Sequence, residues 1–277
     1  MSTDLASEIE RLASTELSQN VALSRSAGWQ DSESEWRVLH EAADVRGLRR
    51  EQRVVAQVAF GDYGTCATIA KMVVAAEAQR QGWGGRLLDG CIAEAEARGI
   101  PLGLCATDQG RPLYESRGFT VSGELMILFG RPVWGTEADD SVVPLLDAER
   151  ALEHDLRFSG CDRRRMLRAR FREAIASFEA QGEARGFGLA TAQGENALVG
   201  PILAESEQGA RALLRAIFKA VDRPLRLDVP LQHVELRRWL VQLGLREMSV
   251  RVEMARGAGN VPWQSPQRFA LATQAWG

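Results

Sequence analysis

The sequence has no excess of positive charge. Its 34 lysine and arginine residues stand against 37 aspartate and glutamate residues, which gives a formal net charge of −3 and a pI near 5.8. Such a chain has no general attraction to nucleic-acid phosphates or to anionic lipid, so we expect no nucleic acid and no membrane as a partner. The short arginine runs at 46–50 and 163–165 have acids nearby and are interpreted as solvated helix faces.

Cysteine is scarce, and the four cysteines form no CxxC pair. The spacing therefore predicts no metal site, and buried thiols in a reducing compartment fit best. The sequence also lacks a run of about 18 apolar residues, which a membrane-spanning helix would require. Residues 1–17 are largely polar and acidic. We expect a cytoplasmic protein.

The sequence does contain enough apolar residues for two hydrophobic cores. It has 277 residues, 45% hydrophobic and 26% charged, and this length exceeds what one core usually organises. The periodic pattern is interrupted between Gly130 and Ser141, where a proline, a glycine and an acidic cluster occur. We therefore predict two domains, at residues 1–135 and 142–277.

Local patterns predict the order of elements in the first half. Apolar residues at helical spacing alternate with β-rich runs, and glycine and proline mark the ends. The predicted elements are helices at 4–14 and 35–50, a hairpin of strands at 53–60 and 65–74, a helix that ends at Gly99, a strand at 102–106, a helix near 110–116 and a strand at 120–129.

The second half repeats parts of the first in a degraded form. The string IPLGL at 100–104 has a counterpart, RPLRL, at 223–227, and YESRGF at 114–119 has a counterpart, LVQLGL, at 240–245. The two offsets, 123 and 126 residues, are close enough to indicate a duplication. Chance similarity between two α/β segments is the alternative.

A glycine-rich turn at 82–85 lies between a β-rich run and a helix. Backbone N–H groups and the positive end of a helix dipole at such a turn hold a phosphate or pyrophosphate. The P-loop pattern GxxxxGK[ST] is absent. A dinucleotide fingerprint is equally weak, because Leu87 stands at the place of its third glycine and Asp108, the nearest acidic residue, follows in a loop.

Two motifs support a third interpretation. Residues Gln79–Gly84 (QRQGWG) resemble the (Q/R)xxGx(G/A) motif of the GNAT superfamily of N-acetyltransferases, and Tyr114–Phe119 resembles its YxxxGF motif. The wider pattern resembles a bacterial branch with two tandem domains, densely over residues 53–125. The resemblance implies an α/β (α+β) fold of two tandem GNAT-like domains, each a mixed, mostly antiparallel sheet flanked by helices, with a catalytic N-terminal and a degenerate C-terminal domain.

The resemblance also implies acetyl-CoA as co-substrate, without a metal. Backbone groups of a strand would pair with the pantetheine amides, and N–H groups of the turn would bind the pyrophosphate, which glycine lets come close. The residues implied for cofactor binding are Met72, Val73, Val74, Gln79, Arg80, Gln81, Gly82, Trp83, Gly84, Gly85 and Thr107. A plain tight turn with solvated polar side chains is the alternative.

By the same resemblance Tyr114 protonates the leaving thiolate. A phenol with a pKa of about 10 is protonated at neutral pH and suits this role, whereas a core tyrosine is the alternative. The predicted strand at 65–74, before the glycine-rich turn, has no carboxylate. The acceptor amine therefore either loses its proton through ordered water or arrives neutral. Glu35, Asp62 and Asp108 are weaker candidates for a general base.

The acceptor pocket is expected near Trp29 and Trp36, because the first helices of this fold cover the thioester end. An aromatic core between helix and sheet is the alternative for both tryptophans.

In the second half the acidic segment Glu205–Gly209 stands in place of the glycine-rich turn, and Leu240 stands in place of Tyr114. We therefore expect that half to keep the fold without the catalysis, and either to pack on the first domain or to shape the acceptor pocket.

The expected function is transfer of an acetyl or short acyl group from acetyl-CoA to the amine of a small molecule, by direct attack in a ternary complex. A catalytically idle acyl-CoA-binding or scaffold protein is the first alternative, and a protein acetyltransferase is the second. Because a tandem arrangement can mimic the dimer of single-domain relatives, the chain is expected to be a monomer or a homodimer.

Overall fold

The computed structural model describes residues 9–29, 31–133, 141–259, 261 and 264–276. Its first half runs through a strand, two helices and then alternating strands and helices. The elements are β1 (Ile9–Arg11), α1 (Leu17–Ser26), α2 (Glu33–Ala42), β2 (Asp44–Arg50), β3 (Arg53–Asp62), β4 (Ala67–Val74), α3 (Trp83–Ala97), β5 (Leu102–Ala106), α4 (Arg111–Glu115) and β6 (Thr120–Gly130). The hairpin and the elements after it agree with the predicted order.

The second half repeats this order of elements, from two helices to a long strand that a short strand then follows. Its elements are β7 (Val142–Pro144), α5 (Ala148–Ser159), α6 (Arg164–Arg172), β8 (Ala174–Ala180), β9 (Gly186–Gln193), β10 (Asn196–Ala204), α7 (Glu207–Ala220), β11 (Leu225–Pro230), α8 (Val234–Gln242), β12 (Arg246–Arg256) and β13 (Arg268–Ala270). The series α1 to β6 and α5 to β12 match if β1 and β7 are set aside.

The described strands form one sheet in the order β1-β2-β3-β4-β5-β12-β6-β11-β10-β9-β8-β7, with β13 beside β10. Among these described strands, only β4 with β5 and β10 with β11 pair in parallel. The last strands of the two halves are exchanged, since β12 pairs with β5 and β6 pairs with β11. The mixed, mostly antiparallel α/β architecture is therefore confirmed, but each half is completed by the other.

The helix predicted at 35–50 is confirmed only as far as residue 42, and the helix predicted at 4–14 is wrong where the structure describes a strand. Helix α2 ends at Ala42, and residues 44–50 form strand β2 against β3. Pairing with β3 makes these residues a strand. Glycine at 47 allows the two strands to come close, because a Cβ there would lie 2.5 Å from the Ala56 carbonyl oxygen. Residues 9–11 of the helix predicted at 4–14 form strand β1, and residues 4–8 lie outside the described residues. The interruption placed at 130–141 falls partly outside them as well, because residues 134–140 are not described.

None of the helices within the described ranges is long and apolar enough to cross a membrane. The apolar side chains are instead distributed over three buried clusters. Two buried ion pairs lie among them, Arg163 with Asp155 and Arg268 with Glu253. The second pair joins β12 to β13 and so ties the end of the chain to the shared sheet.

Replacing Glu253 by alanine should lower the free energy of unfolding by about 3–5 kcal/mol. Both side chains of the Arg268–Glu253 pair are 2% exposed and share two 2.9 Å hydrogen bonds, so the variant leaves a buried guanidinium without its carboxylate. Urea denaturation measures the change. The control is Arg238→Ala, which breaks the exposed pair with Glu235 and should change stability by less than about 1 kcal/mol. Equal stabilities of the two variants would contradict the argument.

Candidate functional site

Strands β4 and β5 diverge in the middle of the first half. Their parallel pairing covers only Ala67–Ile69 and Leu102–Leu104. Strand β5 is held by β12 on its other edge, so it cannot follow β4 any further. Beyond Ile69, the edge of β4 that faces β5 therefore has no strand partner among the described residues. Its N–H and C=O groups are available to an extended ligand in the manner of an added strand.

A β-bulge lies at this open part of β4. The register with β3 shifts there, and Lys71 has a φ of +50°, in the left-handed region. The ammonium of Lys71 forms an ion pair with the buried carboxylate of Asp31 and lies 5.5 Å from the centre of the Trp29 ring. The segment between α1 and α2 is thereby fastened over the bulge.

The glycine-rich turn begins helix α3 beside the same opening. Gly82 has a φ of +84° and precedes the first helical residue without any side-chain cap. The first N–H groups of α3 consequently remain available to an anion. A Cβ on Gly84 would lie 3.6 Å from Val74 and from Leu113, so the missing side chain keeps the passage between them open. The buried Trp83, flanked by two guanidinium groups, fixes the helix start.

A cavity of about 1010 Å³ connects these features. The first half contributes β4, the start of α3 and the segment from β5 to α4, and the second half contributes α6, β9 to β11 and the C-terminal segment. From the first half its wall includes Trp29, Asp31, Glu35, Lys71, Met72, Val73, Val74, Gln79, Gly84, Thr107 and Tyr114; from the second half it includes Arg170, Gln193, Asn196, Arg226, Asp228, Arg251, Gln274 and Trp276.

Tyr114 presents its phenol at this wall. It is 7% exposed and packs edge-on against Phe119, with ring centres 5.9 Å apart. A Cβ on Gly110 would lie 3.1 Å from the ring, so glycine at the start of α4 gives the phenol its place. Within the described part of the chain the hydroxyl has no hydrogen-bond partner. Burial, with a smaller contribution from Cys91, raises the pKa of Tyr114 to about 12, so the hydroxyl is a proton donor at neutral pH.

Of the three carboxylates considered as bases, Glu35 alone lies on the cavity wall. One of its oxygens accepts a 3.0 Å hydrogen bond from the Gln193 amide, and the other caps helix α2 at Ser32. Asp62 is paired with Arg98 away from the cavity, and Asp108 is exposed. The hydrogen bond between Glu35 and Gln193 therefore joins the two halves at the cavity wall.

The structure brings most of the predicted positions together. Trp29, Met72, Val73, Val74, Gln79, Gly84, Thr107 and Tyr114 line the cavity, whereas Arg80, Gln81, Gly82, Trp83 and Gly85 form the turn and first helical residues beside it. Trp36 does not fit its predicted place in the acceptor pocket. It is 0% exposed, because the apolar face of α2 packs onto the sheet, and it belongs to the hydrophobic core.

The sequence alone does not show which residues the second half contributes to the wall. Arg170, Gln193 and Trp276 are far from the motifs along the chain, and only the tertiary fold brings them to the cavity. The sequence alone is compatible with Lys71 as a surface charge at a strand end, and it gives no sign of its partner Asp31. The available signal was the position of Lys71 within an otherwise apolar run.

The corresponding opening in the second half is filled by the chain itself. Strands β10 and β11 pair only at Ala197–Leu198, and β13 then pairs with β10 at Ile202 and Leu203. Since β9 already occupies the other edge of β10 at these residues, β13 lies on the edge that faces β11. The helix start is also occupied, because the Ser206 hydroxyl accepts a hydrogen bond from the Gly209 N–H.

Comparison with known proteins identifies this architecture. Two family models, each described as an acetyltransferase (GNAT) domain, match the chain, one over residues 43–121 and the other over residues 151–270. The chain therefore belongs to the GNAT acetyltransferases and carries two such domains in tandem. The resemblance noted from the two motifs is confirmed.

Individual relatives share this organisation over nearly their whole length. The uncharacterized N-acetyltransferase YitH of Bacillus subtilis (strain 168) is 26% identical over 289 residues, which cover 99% of this chain and 100% of the relative. A putative acetyltransferase from Pyrococcus horikoshii superimposes with a TM-score of 0.81 at 18% identity, over 97% of this chain and 95% of that one. A tandem GNAT protein from the clavulanic acid biosynthesis pathway has a TM-score of 0.66 at 16% identity, over 91% and 98% of the two chains. At these identities the two structures support the fold.

Proposed function

We propose that this protein is an N-acyltransferase that moves an acetyl or short acyl group from acetyl-CoA to the amine of a small molecule. The observation that carries the proposal is that one cavity joins an open strand edge, an uncapped helix start and a buried phenol. An extended chain with amides, a pyrophosphate and a thioester fit these three features in that order. The cavity is also large enough to admit a second small molecule beside the thioester.

In this proposal the backbone of Met72, Val73 and Val74 pairs with the pantetheine amides. The pyrophosphate lies at the N–H groups of residues 80–85, where the helix dipole favours negative charge. Gln79 supports the end of the strand, since its amide donates a 3.0 Å hydrogen bond to the Val74 carbonyl. Thr107 completes this side of the wall.

Transfer proceeds by direct attack within the ternary complex. The neutral amine nitrogen forms a bond to the thioester carbonyl carbon, and the carbon–sulfur bond breaks as the tetrahedral intermediate collapses. Tyr114 gives its phenolic proton to the departing sulfur, the nitrogen loses its own proton to water, and water returns a proton to the Tyr114 phenolate. Trp29 lies on the acceptor side of the cavity, next to the Lys71–Asp31 pair.

The proposal includes a division of labour between residues 1–135 and 142–277. The first carries the acyl-donor site, and the second completes its sheet and closes the acceptor side. We further propose that the protein acts in the cytoplasm, in keeping with its four free thiols. Its partner is a small molecule rather than a nucleic acid or a membrane, and it acts as a monomer or a homodimer.

The test is a turnover assay with acetyl-CoA and a panel of small amines. Release of free CoA thiol, together with an acetylated product identified by mass spectrometry, is the expected result. Calorimetric titration of acetyl-CoA into the same preparation measures binding independently of the acceptor. Absence of binding would contradict the proposal, and binding without turnover over a broad panel would favour the idle acyl-CoA-binding alternative.

Acetyl-CoA should bind with a stoichiometry of one per chain. The strand edge is open only in the first half, whereas β13 fills the corresponding place in the second. A Cβ on Gly200 would lie 1.7 Å from the Leu271 carbonyl oxygen, which shows how closely the C-terminal segment approaches β10. Calorimetry gives the stoichiometry directly, and two equal sites per chain would show that β13 leaves the second opening.

A further inference from the structure

Arg170 holds an unusual position in the wall of the cavity. It lies in the last turn of α6, in the second half of the chain, and is 5% exposed. Its Nη2 donates to the Thr191 hydroxyl at 2.6 Å and to the Ala272 carbonyl at 3.3 Å. Within the described ranges its Nε has no hydrogen-bond partner. Both acceptors are neutral, so none of the described carboxylates balances this charge at hydrogen-bond distance.

Each of the other two deeply buried arginines that the structure describes, in contrast, has a carboxylate partner. Arg163 is paired with Asp155, and Arg268 is paired with Glu253. For Arg170 the carboxylates of Glu35 and Glu173 act only from a distance, and burial lowers the pKa of its guanidinium to about 10. The guanidinium is still charged at neutral pH, and a buried charge without a partner is costly for a protein to keep.

The remaining cations on the cavity wall do not share this state. Lys71 is paired with Asp31, and Arg226 donates two 3.0 Å hydrogen bonds to Asp228. Arg251 is only half-buried. Among the described cations on the cavity wall, Arg170 is thus the one that is deeply buried and has no carboxylate at hydrogen-bond distance. A planar carboxylate matches the fork of a guanidinium better than any neutral group does.

We propose that Arg170 binds a carboxylate of the acceptor, so that the small amine acylated by this enzyme is an amino acid or a related amino carboxylic acid. The inference rests on the proposed function, since it names the acceptor class of the same cavity. The amine would point toward the β4 bulge and the thioester, and the carboxylate toward α6. The second half of the chain then selects the acceptor, while the first half binds the donor.

Direct binding tests this without any turnover. The probes are N-acetyl amino acids with aliphatic, aromatic and acidic side chains, each compared with the acetamide that lacks the α-carboxylate. Carboxylates that fit should raise the melting temperature of the wild type, and their neutral counterparts should bind about 10- to 100-fold more weakly. Neutral and carboxylate probes that bind equally well would overturn the proposal.

Variants of Arg170 give the second half of the test. Arg170→Met should lose this preference, and Arg170→Lys should keep part of it, because the charge remains without the planar fork. Arg168→Met is the matched control, since Arg168 is exposed on the same helix and pairs with Glu149. It should behave like the wild type. Retention of the carboxylate preference in Arg170→Met would overturn the proposal, and if that variant does not fold, the probe comparison in the wild type decides.

Titration of acetyl-CoA into the same proteins separates this inference from the proposed function. Carboxylate binding without acetyl-CoA binding would contradict the acyltransferase proposal and leave the Arg170 site standing. Turnover that is equally fast for amino acids and for their decarboxylated amines would overturn the Arg170 site and leave the acyltransferase standing. The expected result is acetyl-CoA binding that is the same in wild type and Arg170→Met, with kcat/KM for amino acids reduced about 10- to 100-fold in the variant.

Discussion

The variant Gly84→Glu should bind acetyl-CoA at least about 100-fold more weakly than the wild type. A side chain at this position enters the passage between Val74 and Leu113, where even a Cβ would already be in van der Waals contact at 3.6 Å. The added carboxylate would also stand in the first turn of α3, where it would take the place of the pyrophosphate at the helix N-terminus. Steric and electrostatic effects act in the same direction.

The control for this variant is Gly90→Glu. Gly90 lies on the exposed side of the same helix, and a Cβ there would have open space around it. The control changes the helix and the net charge in the same way but should leave the dissociation constant unchanged. Gly82 is less suitable for the test, because its φ of +84° strains any substitution. Calorimetry measures both variants, and equal affinities would place the donor elsewhere.

The residues of the proposed donor side could be located from the sequence because they lie in short segments of the chain. A glycine-rich turn followed by a helix defines a position for phosphate by backbone geometry alone. The strand before it and Tyr114 after it stand at fixed distances along the chain. Short segments therefore contain the whole signal, and the structure places these segments around one cavity.

The errors in the sequence prediction came from the sheet. Residues 44–50 have a pattern compatible with a helix, and only the pairing of β2 with β3 makes them a strand. Trp36 occupies a position on α2 that suits either a pocket or a core, and the choice depends on which face of the helix meets the sheet. Information of this kind is non-local, so a single helix or strand pattern does not contain it.

The residues of the second half that face the proposed acceptor side could not be predicted for a related reason. Their position depends on the exchange of β6 and β12, which brings the second half against the opening in the first. In the sequence Arg170 is one arginine among several in an amphipathic helix, and the role proposed for it depends on its burial and on the lack of a nearby carboxylate among the described residues. The second half thereby contributes polar and charged side chains to the cavity wall.

Replacement of Tyr114 by phenylalanine should lower kcat about 100- to 10,000-fold. The ring and its contact with Phe119 remain, so the affinity for acetyl-CoA should not change. The variant lacks only the hydroxyl that protonates the departing sulfur. Tyr63→Phe is the matched control, because it removes the hydroxyl of the other tyrosine, which is not among the cavity-lining residues and donates a 3.4 Å hydrogen bond to the backbone carbonyl of Trp276. It should keep kcat near the wild-type value.

The pH dependence gives a second test of Tyr114. Burial raises its pKa to about 12, so the hydroxyl is protonated throughout the neutral and mildly alkaline range and ionises only above it. Activity should therefore show no alkaline loss due to this phenol below about pH 10, the usual phenol pKa. The ratio of wild-type to Tyr114→Phe activity should stay constant over that range. A variant that turns over as fast as the wild type would remove Tyr114 as the proton donor, whereas a ratio that collapses near pH 8 would mean that a group of lower pKa protonates the sulfur.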